Sequence, residues 1–297
     1  KEAALLFTSA YIANDATLST LPKLFPGLII YSDELNHASM IEGVRRNGGA
    51  KRIFRHNDLG HLRELMEADD PAAPKLIAFE SIYSMDGDFG PIEEICDLAD
   101  KYDALVMIDE CHATGFIGEK GIGTLEEKDV LSRVDIITGT LGKALGGAMG
   151  GYTTAKKEII ELLRQRSRPY LFSNSLAPSI VGASLKVFEM LEKDDSLRNK
   201  LKENTKYFKQ GIKDAGFDII DGDAAIVPVM LYDAKLSQDM ADKLLEEGIY
   251  VIGFFYPVVP KEKARIRVQL SAAHKKEHLD QAIKAFTKIG KELGVID

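Results

Sequence analysis

The residues from Ala104 to Ile108 are all apolar, and Asp109 follows them directly. A short run without polar residues is typical of a strand buried on both faces, as in a parallel sheet. A similar run leads to Glu80, and stretches with a helical pattern separate these runs. The sequence therefore predicts βαβ units around a mainly parallel sheet. It places Asp109 at the carboxyl end of a strand, where open α/β sheets bind ligands.

Lys143 follows another predicted strand, an apolar run that ends in a turn of Thr and Gly residues. Its apolar neighbours predict that it is shielded from water, which favours the neutral amine and makes it a nucleophile or a base. A phosphate-binding loop of the nucleotide-hydrolase type is excluded. Gly139 and Gly142 are too close together, and Ala144 lacks the hydroxyl that such a loop places after its lysine.

Asp109 and Lys143 thus end two predicted strands and are expected to face one crevice. Pyridoxal phosphate requires such a pair, because a lysine binds its aldehyde and an aspartate keeps its pyridine nitrogen protonated. The protonated ring can then accept the charge of a carbanion. His112 is expected either to hold Asp109 or to lie near the phenolic oxygen of the cofactor.

Residues 106–112 also read like the DExH box of an ATPase that acts on nucleic acids, but that box needs the phosphate loop excluded above. The formal charge of −8 argues against nucleic acid and anionic membranes as partners. No stretch approaches the length of a transmembrane helix. The two cysteines, Cys96 and Cys111, indicate a reducing compartment rather than a disulfide framework. No metal site is predicted.

Four motifs in order along the chain closely resemble the α-oxoamine synthases, a family of pyridoxal-phosphate enzymes. They are the residues 36–39 (NHAS), 84–87 (SMDG), 109–115 (DECHATG) and 139–144 (GTLGKA). The resemblance implies an α/β fold of the aspartate-aminotransferase type (fold type I). This fold has a large domain with a mainly parallel sheet and a smaller α+β domain at the carboxyl end. A charged stretch at 192–195 predicts the boundary, with a large domain over 1–190 and a small domain over 191–297.

The resemblance also implies residue roles. Lys143 would form the Schiff base and remove the α-proton of glycine, Asp109 would pair with the pyridine nitrogen, and His37 would stack on the ring. The other assignments are Ser84 and His112 at the phenolic oxygen, Thr140 and the backbone of Ala10 and Tyr11 at the phosphate, Ser173 and Asn174 reaching in from a second subunit, and Arg267 at the substrate carboxylate. If residues 265–269 form a strand, Arg265 and Arg267 share one face, and the family motif favours Arg267.

The implied reaction joins glycine to an acyl-CoA in a homodimer with shared active sites. Residues 164–175 and 248–260 resemble members that use acetyl-CoA and form 2-amino-3-oxobutyrate, which is the favoured reading. Residues 12–18 and 54–61 resemble members that use succinyl-CoA and form 5-aminolevulinate, the alternative. Because the family's amino-terminal segment is missing, an inactive fragment that binds the cofactor is a third expectation. The expected compartment is the cytoplasm, with the mitochondrial matrix as the alternative.

Overall fold

The computed structural model describes residues 1–46, 48–222 and 224–297. The chain separates into two compact units. The first unit comprises Lys1–Tyr83 and Phe89–Asp194, and the second comprises Ser84–Asp88 and Asp195–Asp297. The short segment Ser84–Asp88 therefore groups with the carboxyl-terminal part of the chain, whereas the sequence analysis placed it in the large domain.

The first unit contains one sheet and the helices that cover it. Its strands are β1 (Ala3–Phe7), β2 (Ile29–Asp33), β3 (Ala50–Phe54), β4 (Lys75–Glu80), β5 (Ala104–Asp109), β6 (Ile136–Thr140) and β7 (Gly151–Ala155). Its helices are α1 (Ala10–Leu24), α2 (Ala38–Arg46), α3 (Leu59–Ala68), α4 (Ile92–Tyr102), α5 (Thr124–Glu127), α6 (Lys157–Arg166), α7 (Arg168–Leu171) and α8 (Pro178–Lys193).

The seven strands are arranged in the order β1-β7-β6-β5-β4-β2-β3. The strands from β6 to β3 in this order are parallel to one another, whereas β7 is antiparallel to both β6 and β1. The carboxyl ends of the parallel strands therefore share one edge of the sheet. At that edge Glu80 and Asp109 are direct register partners. The predicted mainly parallel sheet, with Asp109 at the end of a strand, is confirmed.

Both faces of the sheet are buried, which explains why the central strands β4 and β5 are apolar between their ends. In β4, Leu76 and Ala78 join one hydrophobic cluster, whereas Ile77 and Phe79 join the other. Successive side chains of a strand point to opposite faces, so each face receives every second residue. Helices α1, α2 and α6 cover the first face, and α3 and α4 cover the second. Burying each large apolar side chain contributes about 1.5–3 kcal/mol.

Helices α1 and α2 approach each other closely at Gly43. A Cβ at this position would lie 2.9 Å from Leu18 Cβ and 3.1 Å from Asp15 Cα, so only glycine fits without a shift. The close approach brings Asn14 of α1 next to Ser39 of α2, with 3.0 Å between Asn14 Nδ2 and Ser39 Oγ. The packing of these two helices therefore positions polar groups beside the carboxyl edge of the sheet.

The second unit has three strands, β8 (Ile226–Tyr232), β9 (Gly253–Phe254) and β10 (Ala264–Gln269), in the antiparallel order β8-β10-β9. Its helices are α9 (Ser196–Asp214), α10 (Ala234–Glu246) and α11 (Lys276–Glu292). In the described parts of the chain, none of the helices has the length and apolarity needed to cross a membrane. The same residues contain no group of three or more His, Cys, Asp or Glu side chains that could hold a metal ion.

Strand β3 was not predicted, because it is an edge strand whose residues Lys51 and Arg52 interrupt the apolar pattern. In the second unit, β9 contains only Gly253–Phe254. His56 is partly buried, and its Nδ1 lies 3.0 Å from Oδ1 of the buried Asp33.

Candidate active site

Asp109 ends β5 at the shared edge and is only 4% exposed. Both of its carboxylate oxygens accept hydrogen bonds from the protein. The backbone N–H of Cys111 donates to Oδ1 at 2.8 Å, and Asn14 Nδ2 donates to Oδ2 at 2.6 Å. Burial and these two donors hold the carboxylate in one orientation.

Lys143 lies in a series of turns three residues after the end of β6. The predicted shielding from water is wrong, because Lys143 is exposed. Of its apolar neighbours, Leu141 and Leu145 turn into the protein, and the lysine between them points away. Its Nζ lies 2.9 Å from Nε2 of His112, so the amine is accessible and has a titratable side chain within hydrogen-bond distance.

His37 lies directly before α2 and is anchored through its backbone. Its N–H donates to Oε1 of the buried Glu80 at 2.6 Å, and its ring Nδ1 lies 2.7 Å from Ser39 Oγ. The ring meets that of Tyr11 edge to face, with centroids 6.3 Å apart. The pKa of His37 is lowered, mainly because surrounding protein displaces water from the ring. The charge of Lys143 lowers it further, and the charge of Asp109 opposes the effect.

The N-terminus of α1 and the hydroxyl of Thr140 meet at Gly150. Ser9 caps the helix by accepting from the N–H of Ile12 at 3.2 Å, and it also forms a bridge with Gly150. The hydroxyl of Thr140 lies 3.3 Å from the carbonyl oxygen of Gly150. Ala10 and Tyr11 are the first residues of the helix, where N–H groups have no acceptor within the helix and attract anions.

The remaining predicted residues are Ser173, Asn174, Ser84 and Arg267. Ser173 and Asn174 follow α7 and are exposed, and they line a cavity of about 560 Å³ together with residues of β1. Ser84 and Arg267 belong to the second unit. In that unit Arg267 lines a cavity of about 580 Å³.

The two arginines of β10 differ in their contacts. The guanidinium of Arg265 is 2% exposed and is bonded to Asp86 and to the carbonyl oxygens of Met85 and Lys263. Nε of Arg267 is also buried, but it has no hydrogen-bond partner among the described residues. Burial lowers the pKa of Arg267. An anionic group would satisfy this donor.

Sequence reasoning missed four buried polar residues at this edge, namely Asn14, Ser39, Glu80 and Thr138. Asn14 contacts Asp109 and Thr138, which lie 95 and 124 positions away, so no local pattern reveals these bonds. Glu80 was recognised only as the end of a strand. Its pKa is raised well above the ordinary value, first by burial and then by the neighbouring charge of Asp109.

Pyridoxal phosphate needs a carboxylate for its ring nitrogen, an amine for its aldehyde and donors for its phosphate. In the first unit Asp109 offers the carboxylate and Lys143 the amine, and the N-terminus of α1 with Thr140 offers the donors. The residues therefore fit this cofactor. The fold and this site together define the class of pyridoxal-phosphate enzymes with the aminotransferase fold.

Comparisons with known proteins indicate the same class. The family model "Aminotransferase class I and II" matches residues 1–286. The chain is 54% identical over 297 residues to 2-amino-3-ketobutyrate coenzyme A ligase of Escherichia coli K12, which covers 99% of this chain and 74% of that protein. It is 51% identical over 288 residues to 5-aminolevulinate synthase of Rhodobacter capsulatus, which covers 96% of this chain and 70% of that protein.

A solved structure of serine palmitoyltransferase from S. paucimobilis, with a bound PLP–myriocin aldimine, matches with a TM-score of 0.95 and 31% identity. The match covers 99% of this chain and 74% of that one. The chain belongs to the aminotransferase class I and II family and, within it, to the α-oxoamine synthases. The predicted family and fold class are confirmed.

Proposed function

We propose that the chain is a pyridoxal-phosphate-dependent acyltransferase that condenses glycine with acetyl-CoA to give 2-amino-3-oxobutyrate and CoA. The observation that carries the proposal is the similarity to 2-amino-3-ketobutyrate coenzyme A ligases over almost the whole chain. The sequence identity is 54% to the E. coli protein and 47% to the mitochondrial protein of Homo sapiens. The described site supports it, because every residue that the resemblance assigns to the cofactor in the first unit has suitable chemistry.

Each assigned residue keeps its predicted role in the proposal. Asp109 would hold the ring nitrogen, and Lys143 would hold the aldehyde. The other proposed contacts are His37 at the ring face, Ser84 and His112 at the phenolic oxygen, and Ala10, Tyr11 and Thr140 at the phosphate. When bound, pyridoxal phosphate supplies an electron sink that stabilises negative charge on the α-carbon of glycine.

Lys143 has the chemistry to take the α-proton of glycine. A general base must lie within hydrogen-bond distance of the proton that it removes, and an exposed side chain on a turn can reach a bound substrate. His112 lies 2.9 Å from Lys143 Nζ, so a proton on either group can be shared with the other. We assign Lys143 the role of base, with His112 as its hydrogen-bond partner.

Arg267 would bind the carboxylate of glycine. A planar guanidinium can donate to both carboxylate oxygens at once, which fixes the orientation of the amino acid. The buried Nε has no hydrogen-bond partner among the described residues, which supports this role. Arg267 otherwise donates only a long bond from Nη2 to Gln269 Oε1, at 3.3 Å, within the part of the chain that the structure describes, whereas the guanidinium of Arg265 is bonded to Asp86 and to the carbonyl oxygen of Met85.

A homodimer with shared sites is part of the proposal. Ser173 and Asn174 are exposed, and the adjacent Phe172 has 78% of its surface in solvent. An exposed aromatic next to exposed polar residues is what a subunit contact would cover. The mass in solution should be twice that of one chain; a monomer at all working concentrations would contradict shared sites.

The test is turnover of glycine with acetyl-CoA and with succinyl-CoA, followed by CoA release and by the mass of the product. We expect the higher kcat/KM with acetyl-CoA, retention of the glycine carboxylate and no turnover in Lys143→Ala. The 51% identity to a 5-aminolevulinate synthase supports the second candidate. Preference for succinyl-CoA with formation of 5-aminolevulinate would establish that candidate and refute the acetyl reading.

A further inference from the structure

A buried hydrogen-bond network joins two residues of the proposed cofactor site. The side-chain amide of Asn14, which is 1% exposed, lies at its centre. Its Nδ2 reaches Asp109 Oδ2 at 2.6 Å and Ser39 Oγ at 3.0 Å, and its Oδ1 lies 2.6 Å from the hydroxyl of Thr138. Ser39 Oγ in turn lies 2.7 Å from the ring Nδ1 of His37.

The carboxylate of Asp109 determines the orientation of the side-chain amide of Asn14. If the amide were reversed, its oxygen would face a carboxylate oxygen at 2.6 Å and repel it, so the NH₂ group must point to Asp109. The hydroxyl of Thr138 then donates to the amide oxygen. The other acceptor near the Thr138 hydroxyl, the carbonyl oxygen of Ile108, is much farther away at 3.5 Å.

The direction of the remaining bonds follows. Ser39 Oγ accepts from Asn14 with one of its lone pairs, and Nδ1 of His37, 2.7 Å away, is an acceptor within reach of its own hydrogen. The backbone N–H of Ser39 also donates to this Nδ1, at 3.2 Å. A ring nitrogen that accepts two hydrogen bonds cannot carry a hydrogen. The neutral His37 ring must therefore carry its proton on Nε2.

We propose that Asn14 is a positioning residue that orients Asp109 and, through Ser39, places the proton of the His37 ring on Nε2. The site then has a donor rather than an acceptor at Nε2 of His37. The role rests on the proposed function, because it concerns two side chains that are assigned to the cofactor. The network itself involves only protein groups.

The tautomer of His37 can be read directly from the ¹⁵N spectrum of protein labelled in its histidines, since a ring nitrogen without a proton resonates far from one that carries it. The signals of His37 are those missing from the spectrum of His37→Gln. In the unaltered protein we expect Nε2 to be protonated and Nδ1 not. In Asn14→Leu, Ser39 Oγ no longer accepts from the amide and can accept from Nδ1–H without a competing donor. The ratio of the two tautomers should therefore shift about fivefold, as expected for the loss of one hydrogen bond.

A matched pair of variants keeps the test independent of folding defects. Thr138→Val removes the donor to the Asn14 amide oxygen and should shift the tautomer ratio in the same direction. Thr17→Val makes the same change at another fully buried threonine, whose hydroxyl is bonded to Ala13 and Thr153 outside the network, and should leave the ratio unchanged.

A proton on Nδ1 in the unaltered protein would overturn the proposal. So would equal ratios in the unaltered protein, in Asn14→Leu and in Thr138→Val. If Asn14→Leu does not fold, the comparison of Thr138→Val with Thr17→Val decides alone. The readout needs no turnover, so a failure of the proposed reaction would be seen separately from a failure of this network.

Discussion

We expect Glu110 to make the stability of the protein depend on pH. It follows Asp109 directly, is 2% exposed and accepts hydrogen bonds from the backbone N–H of Thr124, at 2.9 Å, and from the Thr124 hydroxyl. These bonds connect the end of β5 to the start of α5. Burial raises the pKa of Glu110 from 4.5 to about 7. The bonds from Thr124 act in the opposite direction and offset only part of the effect.

The direction of this pH dependence follows from the pKa of Glu110, which is higher in the folded protein than in the unfolded chain. Between pH 4.5 and about 7, Glu110 is protonated in the folded protein and ionised in the unfolded chain. The folded state then binds more protons, so the free energy of unfolding falls as the pH rises through this window. At about 1.36 kcal/mol per pH unit, the loss amounts to about 3 kcal/mol by pH 8.

Glu110→Gln removes this dependence, because an amide stays neutral and its oxygen can still accept from Thr124. In urea unfolding at fixed pH, the variant and the unaltered protein should have similar free energies of unfolding at pH 4.5. At pH 8 the variant should be more stable by up to about 3 kcal/mol. The difference between the two proteins, rather than either curve alone, isolates Glu110.

Glu126→Gln is the control, since it makes the same change in charge on a partly buried side chain of the neighbouring helix α5. If the curves of Glu110→Gln and the unaltered protein stay parallel from pH 4.5 to 8, the reasoning from burial is wrong. If Glu126→Gln gains as much stability at pH 8, net charge rather than burial is responsible.

Two further predictions concern helix packing and substrate binding. Gly43→Ala should cost about 1–3 kcal/mol in urea unfolding, because the new methyl group meets Leu18. Gly182→Ala, in a helix with open space around it, should instead stabilise by about 0.5–1 kcal/mol; equal effects would contradict the packing argument. Arg267→Lys should lower kcat/KM for glycine about tenfold to a hundredfold, with little change in the KM of acetyl-CoA. Arg265→Lys should mainly lower stability, and a larger glycine defect in that variant would reassign the carboxylate site.

The positions of Asp109 and Lys143 along the fold could be predicted because they follow from local patterns. An apolar run predicts a buried strand, and the residue after it lies at the sheet edge. The exposure of Lys143 could not be predicted in this way. The apolar neighbours Leu141 and Leu145 are buried as expected, but the turns between them point the lysine outward. Burial of neighbours therefore does not imply burial of the residue between them.

The network around Asn14 was missed for a different reason. Asn14 reads as an ordinary polar residue near the start of a helix, and its function depends on contacts with residues 25, 95 and 124 positions away. The contact with Ser39 depends on Gly43, which lets α1 and α2 approach closely, and the other two depend on the packing of α1 against the sheet. A sequence pattern records the periodicity of each helix but not the distance between two helices.

The arginines of β10 show what the structure adds to a correct local prediction. Alternation along a strand places Arg265 and Arg267 on one face and treats them as equivalent, and only the family motif favours Arg267. The equivalence is broken by Asp86, 179 positions from Arg265, which pairs with its guanidinium at 2.6 Å. A ligand that bound Arg265 would have to break this ion pair and leave a buried charge without a partner, which costs about 3–5 kcal/mol. Arg267 has a buried donor with no partner among the described residues. It can therefore bind a carboxylate without breaking any bond at Nε, and this difference in cost supports the proposal that Arg267, rather than Arg265, binds the substrate carboxylate.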